Sequence, residues 1–167
     1  FLQLFNSDHM NINMNLSLYV LAYNKVDKIA DTLKSVTCGD EIVVIDSFSN
    51  DIVLEISKDL VAKVVQEMFA SIGKLRIAGI KHTSHDWILC TPKGKEESLN
   101  IVSSINLKDA YVTPRRNMFM GKKMRFYGCY PDHRQSQLFK RGNFAYESND
   151  FVHEGYKVIG TTGYLKK

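Results

Sequence analysis

Three groups of polar side chains in the first half of the sequence have the chemistry needed to hold a nucleotide or a phosphate. Tyr23 and Asn24 place an aromatic ring beside an amide, which can hydrogen-bond a base or a ribose. Asp46 provides a carboxylate that can accept hydrogen bonds from the N–H groups of a base or the hydroxyls of a ribose, and Ser47 follows it. The segment Gly73–Arg76 combines backbone N–H groups with a lysine and an arginine, the combination that binds a pyrophosphate.

Each group also has a purely structural interpretation. Asn24 has the side chain of a helix cap, and Asp51 stands where a carboxylate favours the start of a helix. Gly-Lys pairs such as Gly73-Lys74 are common in proteins without phosphate ligands. The sequence alone leaves these alternatives open.

Alternating strand and helix patterns in residues 10–107 position these groups. Apolar segments predict strands at Leu16–Leu21, Glu41–Asp46, Ala62–Val65 and Asp86–Cys90. Helices are predicted between them, over the stripe that contains Ile29 and Leu33, from Ser49-Asn50-Asp51 onward, and over Lys74–Lys81. This alternation predicts an α/β fold with a parallel sheet covered by helices. Since ligands of such sheets bind beyond the carboxyl ends of the strands, Ala22, Tyr23, Asn24, Asp46 and Ser47 are expected at one edge.

Composition narrows the class of protein. The 167 residues are 44% hydrophobic and 24% charged, as in one globular domain. The apolar run Ile42–Ile45 is far shorter than the roughly 20 residues of a membrane span. Three widely spaced cysteines form neither a disulfide framework nor a zinc motif, so a cytoplasmic protein is expected. The dipeptide His9-Met10 resembles a cloning junction, so we interpret residues 1–9 as a lead that derives from cloning.

Residues 108–167 have a different pattern, with short β-like segments separated by charged and aromatic loops. Within them, Lys108–Arg141 contains nine basic residues and two acids. Such a segment suits a phosphate, an anionic membrane surface or a nucleic acid, or is simply a solvated face. Met118, Phe119 and their neighbours in 115–127 suit either a peripheral membrane contact or packing, including a homodimer contact.

Taken in order, these segments resemble the family 2 inverting glycosyltransferases, most closely the branch with bacterial lipopolysaccharide-core β-glucosyltransferases. The similarity covers residues 16–164 and is carried by Leu18–Lys25, Asp40–Asp51, Gly73–Arg76, Asp86–Leu89, Pro114–Asn117, Tyr130–Asp132, Leu138–Gly142 and Val152–Glu154. The resemblance implies a GT-A fold, in which residues 10–107 form a Rossmann-like nucleotide-sugar half and residues 108–167 an acceptor-binding half of one continuous domain. Members of this family usually continue beyond the position of Lys167, so a truncated C-terminal part is expected.

The same resemblance implies roles for particular residues. The nucleotide of a sugar donor, a UDP-hexose, would contact Ala22, Tyr23, Asn24, Asp46, Ser47, Lys74 and Arg76. Asp132 or Glu154 would be the catalytic base that deprotonates the acceptor, a glycan or glycolipid of surface polysaccharide or lipopolysaccharide assembly at the inner face of the membrane. No nucleic-acid partner is expected, although a nucleic-acid binder that uses Lys108–Arg141 is a weaker rival interpretation.

One departure from the family pattern affects the metal. The family normally holds Mn²⁺ or Mg²⁺ through an Asp-x-Asp motif, whose positions here are Pro92 and Gly94. Three explanations remain open. Lys93 or Lys95 supplies the positive charge, or the metal site is shifted to Glu96, Glu97 and His153, or the chain is a catalytically inactive nucleotide- or glycan-binding remnant. The two glutamates also suit the exposed first turn of a helix.

Overall fold

Four strands and three helices alternate along the first half of the chain. The computed structural model describes residues 15–36, 39–60, 62–90, 108–114, 118–119, 122–123, 134–146 and 156–164. The alternating elements are β1 (Leu16–Ala22), α1 (Val26–Ser35), β2 (Glu41–Asp46), α2 (Val53–Asp59), β3 (Lys63–Gln66), α3 (Ile72–His82) and β4 (Trp87–Cys90). The predicted βαβαβαβ order is therefore confirmed. The strand boundaries differ from the prediction by at most one residue, whereas α2 begins at Val53, after the predicted start at Ser49-Asn50-Asp51.

Short strands dominate the described part of the second half. They are β5 (Ala110–Pro114), β6 (Met118–Phe119), β7 (Lys122–Lys123), β8 (Arg134–Lys140), β9 (Phe144–Tyr146), β10 (Tyr156–Val158) and β11 (Thr162–Tyr164), with a 3₁₀ turn at Arg141–Asn143. The division into a nucleotide half and an acceptor half stays a prediction, and the interpreted cloning lead lies outside the described residues.

Seven strands form one mixed sheet in the order β11-β5-β8-β4-β1-β2-β3. β1, β2, β3 and β4 are mutually parallel, as the helical connections require. β8 runs antiparallel to both β4 and β5, and β11 pairs in parallel with β5. The α/β fold class is thus confirmed, and the second half of the chain extends the sheet of the first.

Both faces of the sheet are buried because successive side chains of β1 and β2 point to opposite faces. On one face α3 packs against Tyr19, Val43 and Ile45, together with Ile88, Phe139 and Phe144. On the other face α1 and α2 pack against Val20 and Val44. A Cβ added at Gly79 would lie 2.4 Å from the Tyr19 ring, so glycine is what allows α3 to approach β1 this closely.

Local capping explains two helix boundaries. Ser71 caps α3 by accepting a hydrogen bond from the Lys74 N–H at 3.1 Å, so the helix begins at Ile72, two residues before the predicted start. Asp51 accepts from the Val53 N–H at 3.2 Å at the start of α2. None of the helices in the described ranges has the length and apolarity needed to cross a bilayer.

Candidate functional site

The carboxyl ends of β1, β2 and β3 lie level with one another. Ala22 is in register with Asp46, and Asp46 with Gln66. The loops that follow β1 and β2 therefore leave the sheet side by side. The structure thus brings Ala22, Tyr23 and Asn24 together with Asp46 and Ser47, as the parallel sheet predicted.

Asp46 is buried at the carboxyl end of β2 and is not exposed on the surface. Its side chain has 0% exposure, and its carboxylate accepts three hydrogen bonds. The donors are the Ser49 hydroxyl, to Oδ1, the Ser49 N–H at 3.0 Å and the Gln66 Nε2 at 3.3 Å, both to Oδ2. A buried carboxylate with this many donors fixes the loop after β2.

Asn24 joins the loop after β1 to the loop after β2. Its N–H donates to the Ser49 hydroxyl at 2.9 Å, and its Oδ1 accepts from the Asn50 N–H at 2.9 Å. The helix-cap interpretation of Asn24 is wrong, because the cap position of α1 is Lys25 and has no side-chain cap bond. Asp51 instead accepts from the first N–H of α1, that of Val26, at 3.2 Å, and this confirms its interpretation as a helix-start carboxylate.

Two residues of these loops adopt left-handed backbone conformations that side chains other than glycine seldom take. Asn24 has φ 45° and Phe48 has φ 57°. This conformation costs about 1–2 kcal/mol for a residue such as Phe48 and less for asparagine, and such strain concentrates at functional sites. The turns leave two aromatic side chains half exposed, Tyr23 at 56% and Phe48 at 51%. Rigid loops therefore present aromatic surface at the carboxyl edge.

Ser47 contributes a buried hydroxyl to the same place. Its N–H donates to the Ala22 carbonyl at 3.0 Å, which holds the two loops together. The residue is only 6% exposed, and its Oγ has no hydrogen-bond partner within the ranges that the structure describes. A buried hydroxyl normally finds a partner, so this oxygen has hydrogen-bonding capacity left for a ligand.

Lys74 and Arg76 approach this edge from α3. The Lys74 N–H already donates to the Ser71 hydroxyl. It is therefore not available to a phosphate, contrary to the expectation from the sequence. The Lys74 side chain is exposed. Arg76 is half-buried, and its Nη1 donates to the Sγ of Cys90, the last residue of β4. The guanidinium is therefore held at the carboxyl end of β4, and two cations lie on this side of the sheet.

The remaining predicted residues lie outside the described ranges. They are the candidate bases Asp132 and Glu154, the candidate metal ligands Glu96, Glu97 and His153, and Pro92 and Gly94 at the Asp-x-Asp positions. Of 115–127, only the backbone of β6 and β7 is described. Among the described residues no group of three or more His, Cys, Asp or Glu side chains is placed to hold a metal ion.

Sequence reasoning missed two residues that organise the site. Ser49 bonds Asp46 through both its hydroxyl and its N–H, and also accepts from Asn24. Its place three residues after a strand-terminal aspartate is the signal of such a turn. Gln66 carries no comparable signal, because its contact with Asp46 depends on the pairing of β2 with β3.

Comparisons with known proteins agree with this arrangement. Residues 17–91, somewhat under half of the chain, match the family model described as "Glycosyl transferase family 2". The structure is similar to that of TarS residues 1–349 from S. aureus, with 25% sequence identity and a TM-score of 0.52, over 60% of this chain and 35% of that chain. It is also similar to glucosyl-3-phosphoglycerate synthase from Mycobacterium tuberculosis in complex with uridine-diphosphate, with 17% identity and a TM-score of 0.52, over 63% of this chain and 46% of that chain.

The chain thus spans between about a third and a half of the length of these two proteins. At 17% identity the second likeness shows the fold alone. The match of residues 17–91 runs from the second residue of β1 to just past the end of β4 and contains all the site residues whose contacts are given above. The chain has the GT-A fold, and its β1–β4 half is similar to the family 2 glycosyl transferases.

Proposed function

We propose that the carboxyl edge of β1 and β2 binds the nucleotide of a nucleotide-sugar, a UDP-hexose. The observation that carries this proposal is the cross-linked pair of loops in which Asn24, Asp46 and Ser49 fix one another. Such loops pre-form a ligand site without further ordering on binding. The edge is also where open parallel sheets bind their ligands.

Different side chains would serve different parts of the nucleotide. The exposed Tyr23 ring offers a face to the base, and the Ser47 hydroxyl has hydrogen-bonding capacity for the base or the ribose. Lys74 and Arg76 would provide positive charge for the diphosphate. Asp46 contributes by holding the loop, and a ligand that donates to its Oδ2 would replace the Gln66 amide.

We further propose that the protein transfers the hexose to a glycan or glycolipid acceptor. In an inverting transfer the acceptor oxygen bonds to the anomeric carbon while the bond from that carbon to the diphosphate oxygen breaks. Asp132 or Glu154 would take the acceptor proton. The leaving diphosphate would keep the electron pair and be stabilised by nearby cations. The proposed setting is surface polysaccharide or lipopolysaccharide assembly at the inner face of the membrane.

The residues at the Asp-x-Asp positions do not fit a divalent cation. Pro92 and Gly94 have no side-chain oxygen, whereas Mn²⁺ and Mg²⁺ require such ligands. We therefore assign no step to a metal and propose that Lys93 or Lys95 neutralises the diphosphate. A shifted site at Glu96, Glu97 and His153 is the alternative that a metal titration would reveal.

A second candidate function is a catalytically inactive nucleotide- or glycan-binding domain. The same substitution of Pro92 and Gly94 at the motif favours it. The two functions share the nucleotide site and differ in turnover. Transfer requires a base, whereas binding alone does not.

Calorimetric titration of UDP in EDTA, in Mg²⁺ and in Mn²⁺ tests the nucleotide site. Binding that is equal in all three supports neutralisation by lysines, and binding only with a cation supports the shifted site. Absence of binding in all three would contradict the proposed function. Release of UDP from UDP-glucose with an acceptor, lost in Asp132→Asn or Glu154→Gln while UDP affinity is kept, would establish the transferase over the inactive domain. Asp59→Asn, on the exposed side of α2, is the matched control.

A further inference from the structure

A cavity lies at the amino ends of the parallel strands, opposite the candidate nucleotide site. It has a volume of about 570 Å³ and is formed where β1 and β4 begin and β8 ends. Its lining includes Asn15 ahead of β1, His85 and Asp86 ahead of β4, and Gly142 and Asn143 after β8. Seven residues of β1 separate it from the loops of the nucleotide edge, a distance of about 20 Å. The cavity is therefore a separate feature from the candidate nucleotide site.

Arg141 gives one wall of this cavity a fixed shape. Its Nη1 donates to the Ile80 carbonyl at 2.6 Å, and its Nη2 donates to the carbonyls of Thr83 at 2.7 Å and His85 at 2.9 Å. These contacts join the end of α3 to the turn before β4. Because the guanidinium is bonded to the protein's own carbonyls, its position is fixed and it braces this wall. Its positive charge remains, and the Asp86 carboxylate in the same lining offsets it.

A hydrogen-bond network around the buried Ser17 also fixes the turn before β4. The Ser17 hydroxyl, fully buried, donates to Glu41 Oε2 at 2.5 Å, and both the N–H and the Nδ1 of His85 lie 3.0 Å from the same hydroxyl oxygen. Glu41 also accepts from the N–H of Ser84 at 2.7 Å and from its hydroxyl at 2.9 Å. Since Ser17 gives its proton to Glu41, the network assigns the ring proton of a neutral His85 to Nδ1. Nε2 is then an acceptor.

The lining that remains for a ligand is a mixture of donors and acceptors with little net positive charge. Lys140 is paired with Asp109 (Nζ to Oδ1, 3.3 Å) and lies 5.4 Å from the centre of the Trp87 ring. Asp86 is exposed, and the amides of Asn15 and Asn143 each donate and accept. An anion would meet the Asp86 carboxylate. Each hydroxyl of a polyhydroxyl ligand would find a hydrogen-bond donor and an acceptor in this lining. The Trp87 ring lies beside them.

We propose that this cavity is a second binding site, one for a neutral saccharide. Its volume suits a short oligosaccharide. The interpretation of that saccharide as part of the acceptor glycan rests on the proposed function. Under that function, the site binds the acceptor at a distance from the transfer reaction. Binding of the saccharide itself depends only on the cavity.

Amide NMR spectra of the ¹⁵N-labelled full chain, titrated with methyl β-glucoside and with cellobiose, test the proposal. The amide signals of residues 84–87 and 140–143 should shift, with a dissociation constant on the order of 1 mM for these small probes. Inorganic phosphate should leave the same signals unchanged. Absence of saccharide shifts there, or a response to phosphate in their place, would overturn the proposal.

Gly142→Leu provides a blocking variant. A Cβ at Gly142 meets no atom within 4 Å, so the fold should accept a larger side chain there. Because Gly142 lines the cavity, we expect that side chain to narrow it. We expect at least about a tenfold loss of saccharide affinity. Ala145→Leu, on an exposed position of β9, adds a similar volume elsewhere and should bind as the wild type does. Equal affinity in Gly142→Leu and wild type would contradict the site.

Asp86→Ala is a second variant in case Gly142→Leu fails to fold. Asp86 is exposed, so its truncation should leave the fold intact. Loss of its carboxylate from the lining should weaken saccharide binding by several-fold. Unchanged affinity in that variant would also count against the site. UDP added to the same sample reports on the proposed function separately, through the signals of Tyr23 and Asn24. Loss of the UDP response with an intact saccharide response would reject the proposed function alone.

Discussion

The side-chain amide of Gln66 donates to the carboxylate of Asp46 across 3.3 Å, from Nε2 to Oδ2, at the level where β2 and β3 end. Gln66 is exposed whereas Asp46 is fully buried, so the amide lies between the carboxylate and solvent. In the proposed nucleotide site, a base or ribose that donates to the same carboxylate oxygen, Oδ2, would replace this amide. Gln66 would then compete with the nucleotide for that oxygen.

Removal of that competitor should strengthen nucleotide binding. In Gln66→Ala the Asp46 carboxylate loses one donor that the ligand then supplies. A hydrogen bond of this kind contributes about 0.5–1.5 kcal/mol, which predicts about 2- to 12-fold tighter UDP binding by calorimetry. Glu67→Ala, at the next exposed position, should leave the affinity unchanged. Weaker binding in Gln66→Ala would show that the amide contacts the ligand instead.

Asp46→Ala should destabilise the fold in addition to disturbing the nucleotide site. The substitution removes three accepted hydrogen bonds in a fully buried place and leaves the Ser49 and Gln66 donors without their partner. We expect a loss of about 2–4 kcal/mol in the free energy of unfolding measured with urea. Asp59→Ala, which is exposed on α2, should change it by less than about 0.5 kcal/mol. Equal stabilities would refute the role of Asp46 as the anchor of this loop.

The left-handed backbone of Asn24 makes a comparison of alanine with glycine informative. Both variants lose the bond from the Asn50 N–H to Oδ1, but only alanine keeps the strain of φ 45°. Asn24→Ala should therefore be about 1–2 kcal/mol less stable than wild type, and Asn24→Gly about 0.5–1 kcal/mol more stable than the alanine variant. Thermal and urea unfolding measure both. The reverse order of the two variants would mean that the loop relaxes out of the left-handed region.

The parallel half of the sheet could be predicted from the sequence because local patterns determine it. The β-branched run Glu41–Asp46 and the helix stripe with Ile29 and Leu33 each specify an element, and the alternation of elements specifies the edge where Tyr23 and Asp46 meet. The burial of Asp46 could not be predicted in the same way. It results from Ser49 and Gln66, and the Gln66 contact crosses from one strand to its neighbour.

The cavity lined by His85 and Arg141 could not be predicted from local sequence patterns either. His85 and Ser17 are far apart in sequence and meet only because β4 pairs with β1. Arg141 reaches α3 because β8 runs antiparallel to β4. Local periodicity predicts neither pairing, since β8 belongs to the irregular second half of the chain. The roles of Asp132 and Glu154 remain predictions from the family resemblance.

Glu41 makes stability depend on pH. Burial raises the pKa of this carboxyl, but hydrogen bonds from Ser17 and Ser84 and the charge of Lys63 outweigh it, so the pKa lies below the ordinary 4.5. A lowered pKa in the folded state means that the charged form stabilises the fold. That stabilisation is complete above the pKa of the unfolded chain and is lost as the pH falls through the lower, folded value.

We therefore expect Glu41→Gln to be less stable than wild type near neutral pH, and the difference to shrink as the pH falls below 4.5. Urea unfolding at a series of pH values measures the difference. Ser17→Ala, which removes one donor while keeping the carboxyl, should show a smaller difference with the same trend. Parallel stability curves for wild type and Glu41→Gln would contradict the assignment.

Mapping of UDP on the ¹⁵N-labelled chain in EDTA shows whether the loops after β1 and β2 bind a nucleotide, as we propose. We expect saturable shifts in the amide signals of Ala22–Asn24 and Asp46–Asn50, and none in those of residues 84–86 at the opposite end of the strands. UDP that leaves the first two segments unperturbed, or that shifts only signals elsewhere, would contradict this proposal.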